Sequence, residues 1–171
     1  MNSHDAWTTR PEKKSDHAAV RAVTMAAFET RDEADLVDAL RADDAWIDGL
    51  SMVTTTPDGR VVGHALLTRC WVDDAPALCL APCSVLPEHQ RTGAGSAAVR
   101  ALLDAARGDE GPFVIVLGHP DYYPRFGFRR ASLFDIKLSI DVPDDALMAL
   151  SLHPDRALPS GTVRYAAPFG I

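Results

Sequence analysis

Residues Val85 to Arg107 carry the densest chemistry of this 171-residue chain. An apolar run gives way to Pro87-Glu88-His89-Gln90-Arg91-Thr92, then to Gly93-Ala94-Gly95-Ser96, then to a segment with helical spacing. The glycines remove Cβ atoms where main chain must approach a charged group, and the first turn of a new helix offers unpaired amides at its positive end. Together they suit an anion, above all a phosphate. A triphosphate loop requires Gly-x-x-x-x-Gly-Lys-Ser/Thr, and no Lys follows either glycine. A dinucleotide fingerprint fits Gly93 to Ala98 loosely, but Leu86 to Thr92 separate the glycine from the strand. No carboxylate follows the next apolar run, Phe113 to Leu117, as that motif demands. An ordinary glycine-containing connection stays open on these residues alone.

Gln90-x-x-Gly93-x-Gly95 resembles the Gln/Arg-x-x-Gly-x-Gly/Ala signature of the GNAT superfamily of N-acetyltransferases, with Val85-x-Pro87 upstream where that family often has it. Downstream, Tyr123-Pro-Arg-Phe-Gly127-Phe128 is similar to the Tyr-x-x-x-Gly-Phe ending of the same family's acetyl-CoA site. The resemblance follows element order over residues 10 to 130, and the chain looks most like a bacterial group of acetyltransferases without an assigned substrate. It implies an α/β fold with a mixed, largely antiparallel central sheet flanked by helices. It also implies acetyl-CoA as donor cosubstrate, no metal, and direct transfer to a primary amine on a small molecule or peptide. In such a fold the strand matching Leu78 to Val85 splays from the one matching Phe113 to Leu117. The backbone of Ser84 and Val85 would then pair with the pantetheine arm. The amides of Gln90, Arg91, Thr92, Gly93, Ala94, Gly95 and Ser96 would hold the pyrophosphate.

Transfer requires an amine lone pair to attack the thioester carbonyl and a proton for the departing sulfur. Tyr123 matches the tyrosine that many family members place near that sulfur, and its phenol suits the acid's role; packing with Phe126 is the bland alternative. Tyr122 should point elsewhere. The base is harder to name, because Leu78 to Val85 contains no Asp or Glu, where some family members draw an acid. His64 is one candidate proton acceptor and His119 another. Phe28 and Glu29, between the first two helices, are the candidate acceptor contacts. Each has an ordinary role to set beside it, as a strand histidine, a turn residue or a solvated loop acid. The missing base keeps open a non-catalytic acyl-CoA-binding regulatory or interaction module.

These residues need a scaffold, and the chain is long enough for one domain, residues 1–171, with a substantial core. A net charge of −7 argues against nucleic acid, while Asp32-Glu33-x-Asp35 and Asp43-Asp44 either attract amines or solvate helix faces. Met1 to Lys14 lacks a signal-like core and no run spans a membrane, so a cytoplasmic protein is expected, with a homodimer left open. Cys70, Cys79 and Cys83 are odd in number and read as reduced thiols. In an unbroken strand Cys79 and Cys83 would share a face, which Pro82 can disturb.

Ser15-Asp16 should cap a helix over His17 to Phe28, with Val20, Val23, Ala27 and Phe28 as its apolar stripe, and a second helix should bury Leu36, Val37 and Leu40. Leu50 to Thr56 and Arg60 to Val72 form a hairpin through Pro57-Asp58-Gly59, followed by Leu78 to Val85. Beyond the glycine loop, Val99, Leu102, Leu103 and Ala106 recur at helical spacing. Phe113 to Leu117 reads as a buried strand, Asp121 to Phe126 as a short helix, and Phe128 as the start of another strand. Asp135 to Ile140 and Thr162 to Tyr165 are later strands. Leu147 to Leu152 reads as a further strand, while Val142-Pro143-Asp144-Asp145 could equally cap a helix over Ala146 to Leu152.

Overall fold

The computed structural model describes residues 7–108 and 113–171. Its nine described strands form a mixed sheet in the order β1-β2-β3-β4-β5-β8-β6, with β9 joined to β3 and β7. The strands are β1 (Thr8–Pro11), β2 (Trp46–Thr55), β3 (Val61–Val72), β4 (Ala75–Val85), β5 (Phe113–Leu117), β6 (Arg129–Arg130), β7 (Ile136–Leu138), β8 (Leu147–Ser151) and β9 (Gly161–Arg164). Three α-helices cover them: α1 (His17–Phe28), α2 (Asp32–Arg41) and α3 (Ala94–Ala106). Neighbouring strands run antiparallel except at β4–β5 and β7–β9.

Alternation along β2 and β3 sends side chains to two different cores. Met52, Ala65 and Leu67 meet Val99, Leu102, Leu103 and Ala106 of α3 on one face. Val53 and Leu66 meet Val20, Val23, Val37 and Leu40 of α1 and α2 on the other. The α3 stripe is the expected one. On α1, Thr24 is buried in place of Phe28, which is 38% exposed. Thr24 tolerates burial because its hydroxyl donates to Val20 O at 2.7 Å.

Some boundaries moved. β2 begins at Trp46 because a register irregularity between Trp46 and Ser51 lets the strand continue past Asp48 and Gly49. β4 begins at Ala75, across a tight turn in which Asp73 takes φ 50° and its carboxylate accepts the Thr162 amide at 2.9 Å. Asp16 does not cap α1 with its side chain; its carboxylate instead holds Arg10 at 2.6 Å and the Lys13 amide at 2.6 Å. The ambiguous segment is a strand, because Leu147 to Ser151 pair residue by residue with Leu117 to Phe113. No helix among the described residues is long and apolar enough to cross a membrane.

Candidate active site

The glycine loop leaves β4 at Val85, passes a 3-10 turn at Pro87–His89 and enters α3 at Ala94. Arg91 and Gly93 adopt left-handed backbone, φ 63° and 90°, a form that helps gather N–H groups around an anion. Gly93 is the N-cap, and Ala97 N donates to Gly93 O at 2.9 Å. The Ala94, Gly95 and Ser96 amides therefore fall in the turn that has no intrahelical acceptor. Gly95 meets a different demand: a Cβ there would stand 3.0 Å from Val85 Cγ2.

Distant residues brace this loop. The Trp7 indole donates to Thr92 O at 3.0 Å and sets its ring edge-on to His89, while Thr54 Oγ1 donates to Ala94 O at 2.8 Å. The Gln90 side-chain amide donates to Val85 O at 3.3 Å, so a carbonyl expected to meet the pantetheine arm is bridged by the loop itself. Arg91 is exposed.

Beside the loop the sheet opens. β4 and β5 pair only at Leu78–Val114 and Cys79–Ile115, after which Leu80 to Val85 leave β5, which continues against β8. The β3–β4 register slips by one residue between Leu67–Leu80 and Ala65–Cys83. This extra residue breaks the alternation. Cys79 consequently packs in the core around Ile115 and Val163, while Cys83 packs toward α3 and Tyr123. The two thiols do not share a face, and all three cysteines are free. Burial pushes the Cys70 thiol up to about 12 and the Cys83 thiol up to about 11, away from thiolate chemistry.

Tyr123 stands on the opposite wall, at the start of a 3-10 turn, Tyr123–Phe126, two residues later than the expected helix start. Exposed His119 shapes that turn through its carbonyl, which accepts from the Tyr122 and Tyr123 amides at 3.1 and 3.4 Å. The Tyr123 ring lies edge-on to Phe128 under Gly118, where a Cβ would come within 2.4 Å of it. Only 9% of the residue is exposed, and its hydroxyl neighbours the Cys83 thiol. Burial pushes the phenol well above its usual range, so it keeps its proton until a strong base develops beside it. Tyr122 does point elsewhere: its hydroxyl lies 2.9 Å from Ser96 Oγ.

The other side of β4 faces α1. Ser84 Oγ lies 3.4 Å from Thr24 Oγ1, and Phe28 follows Thr24 by one turn on the same helix face. Glu29 ends the helix in left-handed backbone, φ 61°, its amide held by Met25 O. His64 is the register partner of Ser84 but is 1% exposed, with Nε2 2.8 Å from Ser51 Oγ. Burial, with Arg41 adding to it, pushes the imidazole down to about 3. The ring offered by the sequence as a proton acceptor therefore stands in the core beneath α1 rather than on an open wall. Two acids of the Asp32-Glu33-x-Asp35 cluster are engaged: Asp35 pairs with Arg21 at 2.7 Å, as does nearby Asp38 at 2.8 Å, and Glu33 accepts from Thr30. Among the described residues, no group of three or more His, Cys, Asp or Glu is placed to hold a metal ion.

Residues 18–128 match the Acetyltransferase (GNAT) family. The chain belongs to the GNAT family. It is 40% identical over 119 residues to an uncharacterized N-acetyltransferase of Escherichia coli K12, YjhQ, a match covering 67% of this chain and 65% of that protein. The crystal structure of Escherichia coli YhbS in complex with CoA superposes with a TM-score of 0.89 at 26% identity, covering 97% of this chain and 93% of that one. A GNAT acetyltransferase from Brucella melitensis in complex with acetyl-CoA gives a TM-score of 0.78 at 33% identity, covering 95% and 97%. The mixed open sheet with three helices is thus the GNAT fold. Sequence reasoning singled out the glycine loop and the tyrosine turn but not the Trp7, Thr54 and Tyr122 contacts that brace them, for which no nearby residue gives a signal.

Proposed function

We propose that the chain transfers an acetyl group from acetyl-CoA directly to a primary amine. The observation that carries this reading is the divergence of β4 from β5 past Cys79–Ile115, with the glycine loop at one end and buried Tyr123 on the wall. The amides of the Gln90–Ser96 segment bind the pyrophosphate, and the freed edge of β4 at Ser84 and Val85 takes the pantetheine arm as a strand would. YhbS and the Brucella melitensis protein, solved in complex with CoA and acetyl-CoA, support acyl-CoA as the ligand. The amine arrives past Phe28 and Glu29, at the end of α1 that reaches Ser84.

In the reaction the amine nitrogen bonds to the thioester carbonyl carbon and a tetrahedral intermediate forms. On collapse the carbon–sulfur bond breaks, the electron pair leaves with sulfur, and Tyr123 donates its proton to it. The amine loses its proton to solvent, and a proton taken up from solvent restores the tyrosine. No carboxylate of β4 takes part, since Ala75 to Val85 has none. The domain comprises residues 1–171 as one catalytic unit.

The test is thiol release from acetyl-CoA with a panel of small amines and peptides, beside calorimetry with acetyl-CoA and NAD. Acetyl-CoA binding with amine-dependent release supports the assignment. Tight acetyl-CoA binding without release on any amine favours the acyl-CoA-binding module, which the absence of a carboxylate on β4 and the burial of His64 both suit. Binding of NAD in place of acetyl-CoA defeats both.

A further inference from the structure

We propose that Tyr122 is a positioning residue for the cofactor pyrophosphate, acting through Ser96. The inference rests on the assignment of the Gln90–Ser96 loop to acyl-CoA. Tyr122 belongs to the connection between β5 and β6, and Ser96 to the first turn of α3, so their 2.9 Å contact ties the two walls of the cleft together. A Cβ at Gly95 would lie 3.6 Å from the Tyr122 hydroxyl, which puts the phenol at the opening of the helix, where the free amides are.

Proton bookkeeping gives the contact a direction. A hydroxyl carries one proton and two lone pairs. The phenol is the more acidic partner, and it donates to Ser96 Oγ. Ser96 then has its own proton for a second acceptor, and a phosphate oxygen drawn to the amides of Ala94, Gly95 and Ser96 supplies one. Each donation polarises the next, so Tyr122 strengthens a donor it does not itself present to the anion. Burial keeps the phenol protonated by pushing it above its usual range.

The ring is held for this task. Arg125 lies over its face at 4.4 Å and donates from Nε to Tyr122 O at 2.8 Å, while Tyr123 and Phe126 meet it edge-on at 5.0 and 5.4 Å. Ser96 is 8% exposed, so removing the phenol hydroxyl leaves a buried hydroxyl with one partner fewer.

Calorimetry with CoA and with pantetheine, which lacks the pyrophosphate, tests the proposal on wild type, Tyr122→Phe, Ser96→Ala and the double variant. Tyr122→Phe keeps the ring contacts, so each single variant should weaken CoA binding by about threefold to tenfold. The double variant should lose no more than the worse single one, and pantetheine affinity should hold throughout. Unchanged CoA affinity, additive losses, or a parallel loss for CoA and pantetheine overturns the role. A wild-type protein that binds neither ligand overturns the cofactor assignment, and the inference with it.

Discussion

On the α3 face of the sheet, the proposed cofactor site is made largely of main chain: left-handed Arg91 and Gly93, the first turn of α3, and one phenol held beside a thiol. On the α1 and α2 face the corresponding surface is made of side chains, with Arg21 bridging Asp35 and Asp38, Arg41 bridging Asp38 and Glu12, and His64 sealed under α1. A main-chain grip suits a ligand whose charged part never changes. A side-chain wall can be rewritten by substitution without disturbing the loop. The exposed Arg21 pairs contribute only about 0–1 kcal/mol each, so that stretch of helix surface carries little stability, whereas the Arg41–Glu12 pair is largely buried.

The sharpest break between the two faces should come from Tyr123→Phe. It keeps the ring against Phe128 and removes the proton, so turnover should fall by about a hundredfold to ten-thousandfold while calorimetric acetyl-CoA affinity survives. Wild-type turnover under chemistry-limited conditions would take the acid's role away from the α3 face.

The next effect belongs to the opposite face and concerns stability. His64 titrates near 6.5 in the unfolded chain but is pushed down to about 3 when folded. Above pH 6.5 neither state takes the proton and its contribution is complete. As pH falls from 6.5 toward 3 the unfolded chain binds a proton that the folded protein refuses, costing up to about 1.4 kcal/mol per pH unit. Urea denaturation at pH 7 and pH 4.5 should therefore show a larger loss for wild type than for His64→Gln, and equal losses would mean that His64 titrates normally.

Gly93→Val should act on both faces unequally. A β-branched residue at φ 90° costs about 1–3 kcal/mol of stability, and acetyl-CoA affinity should drop about tenfold or more as the loop shifts. Acceptor affinity measured with a dead-end amine should change little. Unaltered acetyl-CoA binding in the folded variant would move the anion site elsewhere.

Glu29→Gly should give the smallest change and the clearest contrast in sign. Glycine takes the left-handed position at the end of α1 without the roughly 1–2 kcal/mol that a side chain costs there, so Tm should rise by a few degrees. If Glu29 guides the amine, the acceptor KM should rise in the same variant while the acetyl-CoA KM stays put. A higher Tm with an unchanged acceptor KM would leave Glu29 as a helix end only.

What the sequence determined by itself is what a few consecutive residues can dictate. The bounds His17–Phe28 and Phe113–Leu117 match the observed elements, and the α3 stripe is buried as its spacing requires. Gly93, Gly95 and the Tyr123 turn lie where their motifs put them, because periodicity and turn chemistry act within a turn or two of chain. Tertiary structure decided the rest. Leu147 to Ser151 became a strand only because β5 offered its open edge, and β9 found β3 and β7 across long separations. The slip that turned Cys83 toward Tyr123 depends on how β3 and β4 register, and Trp7 reaches Thr92 across 85 positions. Such contacts form only after the chain has closed large loops, and their stability comes from surfaces that no local window contains.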